Sequence, residues 1–352
     1  MIKFFRKIRY DLMEKNKTGK YFKYAIGEII LVVIGILIAL SLNNWNEIRK
    51  QDSDFDKLIN ALENEIIDNI NEANYEISWA REVQTYGSEV LTNKISRQEF
   101  IENPNLSSLI KLNRLDINSD DVSSLVSRQE AFPENYKVLI PHLKNYLKIK
   151  DRYNKSEIEN VVPINRFSDY LINTQPWFAS SNSQQILDSI ALNKQIDFYL
   201  EDPVYKNYLA TYIDGYKYSV REMIGVRSAC LVILAEIKRI REDLGPDEIK
   251  TLFGEYNMTP YLQKTCDDSQ VSGIDFNEPE TYLPLYNASN QTRSIQWIGD
   301  VDGVEKIELK PGELTINPAS KRMQENVLID ILLNEECIMK YQAKVNGYLL
   351  IK

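Results

Sequence analysis

The stretch "GEIILVVIGILIALSL", residues 27–42, is apolar enough for lipid and carries a single acid, Glu28. The uncharged run from Ile29 to Leu42 would form a helix about 21 Å long, too short for a hydrocarbon core about 30 Å thick. Counted from Tyr21 to Leu42, the helix would be about 33 Å long and would cross. The sequence therefore predicts a transmembrane helix at residues 21–44, with Glu28 inside the bilayer or at its inner edge.

The charge distribution predicts the orientation of this helix. The chain has 352 residues and a net charge of −9, but residues 1–24 carry +6 and the remainder carries −15. Basic segments stay in the cytoplasm, so residues 1–20 are predicted to be a basic amphipathic tail on the anionic inner leaflet. The acidic body is predicted to lie in the periplasm, attached to the inner membrane, and its charge argues against nucleic-acid binding.

Two other interpretations of the apolar stretch compete with a membrane anchor. A buried core helix leaves the dense basic leader without a role. Ala39-Leu40-Ser41 has the small-x-small pattern of a signal-peptidase site, which would remove the N-terminus. We favour retention, because the basic leader is long and the apolar run continues into a helical pattern.

One face of the predicted anchor is suited to another helix. Glu28, Val32, Gly35, Ala39 and Leu42 recur at helical spacing, and Gly35-xxx-Ala39 is a small-xxx-small pair that permits close approach. Glu28 either stays hydrated near the headgroups or contacts a polar group on a neighbouring helix; both readings stay open. The predicted interaction residues are therefore Glu28, Gly35 and Ala39, and the predicted partners are the lipid bilayer and a second copy or another membrane protein.

The first 50 residues resemble a known family in three segments: "IKFFRKIR" (2–9), "YAIGEIILVVIGILIAL" (24–40) and "NNWNE" (43–47). They are similar to the N-terminus of a large uncharacterised family of single-pass proteins from Bacteroidota. The resemblance implies an inner-membrane protein with a periplasmic body. It supplies neither a reaction nor functional residues.

Residues 45–254 are predicted to form a helical bundle. No Pro or Gly occurs between Gly35 and Gly87, and apolar residues follow the helical repeat, which predicts one long helix ending near Gly87. Such a stripe needs partner helices from its own chain or from a second copy, as in a coiled coil. The stripe consists of Phe55, Ile59, Leu62, Ile66, Ile70, Ala73, Ile77 and Ala80.

Further helices are predicted from Pro141 to a stop before Pro163, and from Pro203 to Gly245. Residues 94–132 and 164–185 are predicted to be looped. Trp177 and Phe178, in "NTQPWFASSN" (173–182), either cover the bundle core, which we favour, or form an exposed partner-binding patch.

Residues 255–280 are predicted to be a linker, followed by a small antiparallel β-sandwich at 281–352. Six segments alternate around turn signals: "TYLPLYN", "TRSIQWIG", "VEKIELK", "NVLIDILLN", "CIMKYQA" and "GYLLIK". The stretch 285–313 is similar to the β domain of the von Hippel–Lindau type in its Asn-x-Ser strand, Trp-Ile hairpin and Leu-x-Pro-Gly-Glu turn. The His-x-Trp element that follows in that domain is missing. The predicted fold class is thus mainly α, with a transmembrane helix, a periplasmic bundle and a C-terminal sandwich.

No residue pattern indicates catalysis, a metal site or a cofactor. The chain lacks a Gly-rich phosphate loop and a nucleophile elbow, and its only histidine, His142, is predicted to be a surface or capping residue. For Cys230, Cys266 and Cys337 we favour three buried thiols over one disulfide with a thiol left over. The sequence predicts a non-enzymatic, membrane-anchored interaction or scaffold protein. The alternative is a periplasmic small-ligand sensor that signals through the transmembrane helix.

Overall fold

The computed structural model begins with one long helix and describes residues 18–111, 116–178, 189–268, 282–299, 303–317, 327–344 and 346–352. Helix α1 spans Thr18–Leu91, four residues beyond the predicted end at Gly87. The chain divides into two compact units, Met1–Asn60 and Ala61–Lys352. The basic segment 1–17 lies outside the described residues.

In the first unit, the apolar stretch is exposed along its whole length. Every large apolar side chain from Ile26 to Leu42 is 47–66% exposed. A core helix of a soluble protein would bury one side of such a segment. Among the described residues, one helix, covering Ile26–Leu91, is long and apolar enough to cross a membrane.

The second unit begins with the rest of α1 and continues through six more described helices. These are α2 (Arg97–Glu102), α3 (Asp120–Ser127), α4 (Leu139–Thr174), α5 (Ser189–Glu201), α6 (Pro203–Glu242) and α7 (Pro246–Glu255). Short 3₁₀ turns occupy Pro104–Ser108, Gln129–Ala131 and Glu134–Tyr136. The predicted helix from Pro203 is confirmed, with Asp202 as its N-cap and a C-cap at Asp243.

The predicted apolar stripe of α1 forms part of the bundle core. All of its members from Leu62 to Ala80 are buried. Two polar residues on the same helix hold the following segment: Glu65 accepts hydrogen bonds from the backbone N–H groups of Asp121 and Val122, which cap α3. The Asn69 side-chain amide donates to the Asn118 carbonyl and accepts from the Asn118 N–H. These bonds satisfy the buried side chains of Glu65 and Asn69.

The predicted helix stop before Pro163 is wrong, because α4 continues through this proline to Thr174. An interior proline costs a helix about 3 kcal/mol. Packing beyond the proline offsets this cost: Phe167 and Leu171 are buried, and the Phe167 ring lies 5.3 Å from the Tyr208 ring of α6.

The segments predicted to be looped also contain helices. Helix α2 begins with a capping box, in which the Ser96 side chain accepts from the Glu99 N–H and the Glu99 carboxylate accepts from the Ser96 N–H. This Ser-x-x-Glu pattern was readable in the sequence as a helix start.

Two sheets form the C-terminal part of the chain. The four-stranded sheet has the order β1-β9-β3-β6 and the five-stranded sheet the order β2-β8-β7-β4-β5. The strands are β1 (Thr259–Pro260), β2 (Leu262–Lys264), β3 (Pro284–Asn287), β4 (Arg293–Gly299), β5 (Gly303–Leu309), β6 (Leu314–Ile316), β7 (Leu328–Leu333), β8 (Glu336–Gln342) and β9 (Gly347–Ile351). All six predicted segments contain a strand. Alternate residues from both sheets, including Ile295, Trp297, Ile329 and Leu349, form one core cluster.

The pairing differs from a purely antiparallel sandwich at the last strand. Strand β9 pairs in parallel with both β1 and β3, while the five-stranded sheet is antiparallel throughout. Every residue of β9 is buried. Its continuous apolar run, "YLLI", is typical of a strand covered on both faces, as parallel strands are.

The helices of the second unit and the sandwich are packed together. The Ser228 hydroxyl on α6 donates to the Tyr282 carbonyl at 2.7 Å, and the Phe253 ring of α7 lies 4.9 Å from the Tyr348 ring of β9. Gly225 is required at this contact, since a Cβ there would lie 2.6 Å from the Tyr282 ring. Part of the predicted linker also joins the sheets, as β1 and β2, with Tyr261 buried in the sandwich core. Residues 269–280 of that linker lie outside the described residues.

The favoured reading of the cysteines is wrong for two of the three. Cys266, after β2, and Cys337, in β8, form a disulfide that closes 71 residues of chain. Cys230 is a free, buried thiol in α6. The cysteines therefore follow the alternative of one disulfide with one thiol left over. The sequence spacing carried no signal for this pair because β2 and β8 are brought together by sheet pairing.

Candidate functional site

The predicted interaction face of the anchor is open in the structure. A Cβ added at Gly35 would meet nothing within 4 Å, and Ala39 is exposed. Glu28 lies on the same helix and is half-buried. The predicted helix-contacting role of these three residues stays a prediction.

Trp177 and Phe178 lie at the end of an aromatic cluster. Trp177 is buried, with its ring 5.5 Å from Phe198 and 5.7 Å from Tyr199. Its indole N–H donates to the Gln175 side chain at 3.0 Å. Phe178 is half-buried and makes an edge contact with Trp177. Trp177 is therefore part of the core at this site, while a partner-binding role for the pair stays a prediction.

A cleft of about 770 Å³ lies between the helices and the sandwich of the second unit. The start of α4 supplies His142 and Asn145, and the last turns of α6 supply Glu236 and Arg239. Strand β3 contributes Tyr286. The remaining lining comes from Val138, Pro141, Ile240, Asp243, Leu244 and residues 312–316. This volume falls within the range of small-molecule sites.

Arg239 is the central charged group of the cleft. Its Nη1 donates to the Glu236 carboxylate at 2.9 Å, and the guanidinium lies 5.5 Å from the centre of the Tyr286 ring. Burial raises the pKa of Glu236, and the neighbouring Arg239 opposes that rise. Among the described residues, Nη2 and Nε of Arg239 have no protein acceptor. The arginine thus retains donors for a ligand.

Gly312 shapes the opposite wall of this cleft. It occupies the left-handed region with φ of +72°, as the Pro311-Gly312 turn signal predicts. A Cβ at this position would lie 3.6 Å from Arg239 Nη2. The turn therefore requires the glycine, whereas a Cβ would make only an ordinary contact with the guanidinium.

His142, which was predicted to be a surface or capping residue, lines the cleft. The side chain is half-buried, and burial, with a smaller contribution from the Arg239 charge, lowers its pKa from 6.5 to about 4. At neutral pH the imidazole is therefore uncharged and can both donate and accept a hydrogen bond.

The depressed pKa of His142 is open to direct measurement because the chain contains a single histidine. With ¹³C-labelled histidine, we expect one ring resonance whose titration midpoint lies near pH 4. An unfolded chain binds this proton near pH 6.5, whereas the folded chain binds it only near pH 4. The contribution of His142 to the free energy of unfolding is therefore fully present above pH 6.5 and is lost as the pH falls toward 4. A midpoint near 6.5 in the folded chain would contradict this environment.

The sequence alone did not predict this cleft. Its central residues, His142, Arg239 and Tyr286, lie on three separate elements that only tertiary packing brings together. The sequence indicated that Arg239 is a basic residue in the last turn of a helix. A cation at that position is already explained by its favourable interaction with the helix dipole. No spacing rule connects it to a strand some 50 residues later.

The described residues contain no group of three or more His, Cys, Asp or Glu side chains that could hold a metal ion. Asp300 and Asp302 lie outside the described residues.

Comparisons with known proteins identify relatives for parts of the chain. A family described as "Family of unknown function (DUF6090)" matches residues 28–102, from Glu28 to the end of α2. The chain is also 34% identical over 82 residues to the cobalt-precorrin-5B C(1)-methyltransferase of Methanococcus maripaludis. That match covers 22% of this chain and 22% of the methyltransferase. No solved structure matches. The first of these findings agrees with the predicted resemblance to an uncharacterised family.

Proposed function

We propose that this chain is a membrane-anchored, non-catalytic interaction or scaffold protein whose body lies in the periplasm. The observation that carries the proposal is that every large apolar side chain from Ile26 to Leu42 is exposed, by 47–66%. Burying such a surface in lipid is favourable, whereas leaving it in water is not.

Two further observations support the proposed orientation at the inner membrane. Residues 1–24 carry a net charge of +6, which favours a cytoplasmic N-terminus. The Cys266–Cys337 disulfide favours an oxidising compartment for the body, such as the periplasm. The N-terminal likeness to single-pass proteins of Bacteroidota implies the same arrangement.

Assembly through the anchor is proposed to use the face that contains Glu28, Gly35 and Ala39. The small residues permit a second helix to approach closely, and that helix belongs either to a second copy or to another membrane protein. The proposal includes no chemical step. The likeness to the methyltransferase spans about a fifth of each chain, too little to assign that protein's activity to this one.

Crosslinking in native membranes, read by mass spectrometry, tests this function. We expect crosslinks between copies or to a reproducible membrane partner. In the Gly35→Leu variant, we expect the yield of these crosslinks to fall several-fold. Gly27→Leu is the matched control, because a Cβ at Gly27 also meets nothing within 4 Å but lies on another helix face. A folded chain without crosslinked neighbours would contradict the scaffold proposal.

The alternative, a periplasmic small-ligand sensor, is favoured by the cleft around Arg239. A ligand there would contact helices and sandwich at once, and α6 could pass the change to the rest of the bundle. Under this alternative, a signal would reach a partner through the transmembrane helix. Ligand-dependent changes in the crosslinking pattern would favour the sensor over the scaffold.

A further inference from the structure

The cleft around Arg239 carries charges of both signs on a partly apolar surface. Asp243 and Glu313 line it together with the Glu236–Arg239 pair. Arg239 offers guanidinium donors that Glu236 does not use, and Arg–carboxylate contacts are among the stronger hydrogen bonds in proteins. Asp243 suits an ammonium group instead, as does the Glu313 carboxylate, one oxygen of which already accepts from the Lys310 N–H at 2.8 Å.

The remaining lining is suited to a backbone-like ligand. His142 and Asn145 are neutral groups that both donate and accept hydrogen bonds. Ile240, Leu244 and Ile316 give the same cleft apolar surface. A simple anion would face the neighbouring carboxylates, and a simple cation would face Arg239. A ligand with separated charges of both signs, amides and apolar groups fits this combination.

We propose that the cleft binds a short zwitterionic peptide, with its terminal carboxylate on Arg239 and its ammonium group toward Asp243 and Glu313. The peptide amides meet His142 and Asn145, and its side chains cover the apolar wall. This inference goes beyond tethering and does not depend on it. It assigns a ligand class to the sensing alternative, and its failure would leave the crosslinking test of the scaffold unaffected.

Native mass spectrometry of the full chain in detergent tests the proposal. The probe is a tripeptide mixture with all residue types at each position and free termini, compared with the same mixture amidated at the C-terminus. We expect bound tripeptide mass with the free acids and about tenfold or greater weakening on amidation, since the contact to Arg239 is charge-assisted.

Three variants locate the binding. Arg239→Gln should weaken binding to the same extent as amidation, whereas Arg241→Gln should not, because Arg241 pairs with Glu63 outside the cleft. Asn145→Trp places an indole in the cleft while leaving the Glu236–Arg239 pair intact, and should weaken binding about tenfold even if Arg239→Gln folds poorly. The proposal is overturned by equal binding of acids and amides, by undiminished binding in Asn145→Trp, or by no bound peptide at millimolar concentration.

Discussion

Replacing both Ile34 and Leu37 with Arg is expected to release most of the chain from the membrane. On insertion scales, an arginine at the centre of a transmembrane helix costs about 2.5–3.5 kcal/mol, while Ile or Leu is favourable by about 0.5 kcal/mol. Two substitutions therefore disfavour insertion by roughly 6–8 kcal/mol in total. The measurement is the fraction of protein that resists alkaline carbonate extraction.

The matched control places the same charges on exposed apolar residues of the second unit. Ile101 and Ile172 are 53% and 62% exposed, so Ile101→Arg with Ile172→Arg should leave extraction unchanged. Unchanged extraction of the Ile34 and Leu37 double variant would show that the apolar stretch does not hold the protein in lipid.

Removing the disulfide is expected to produce the second large effect. A crosslink that closes 71 residues restricts the unfolded chain, and loop-closure entropy puts its contribution at about 4 kcal/mol. Cys266→Ser with Cys337→Ser should lower the free energy of unfolding by this amount. Denaturant titration of the full chain in detergent, with and without reductant, gives the measurement.

The third cysteine supplies the control for this experiment. Cys230 is a free thiol buried in α6, so Cys230→Ala should lower stability through lost packing while its response to reductant persists. The double serine variant should show no response to reductant. A wild-type chain that is equally stable with and without reductant would contradict the crosslink and weaken the argument for an oxidising compartment.

Local periodicity was sufficient to predict the major elements of this fold. The stripe from Leu62 to Ala80 follows one helix face, and alternation around glycine turns predicted six strands. These signals depend on side chains that are neighbours within one element. The apolar stretch Ile26–Leu42 is likewise recognisable from residues that are neighbours within one helix.

The features that sequence could not predict depend on tertiary contacts. Pro163 is tolerated because Phe167 and Leu171 pack beyond it. Strand β9 pairs with β3 in parallel and is buried along its whole length. The disulfide and the cleft each join residues from elements far apart in the chain. Contacts between residues that are far apart in the chain cannot be predicted from residue spacing or composition.

The proposed tethering requires the apolar helix to remain attached to the body and embedded in the bilayer. Intact-mass analysis of protein purified from carbonate-washed native membranes measures this directly. The account predicts a membrane-bound chain near 40.9 kDa that retains residues 18–44. A soluble product whose first residue lies beyond position 41 would contradict it.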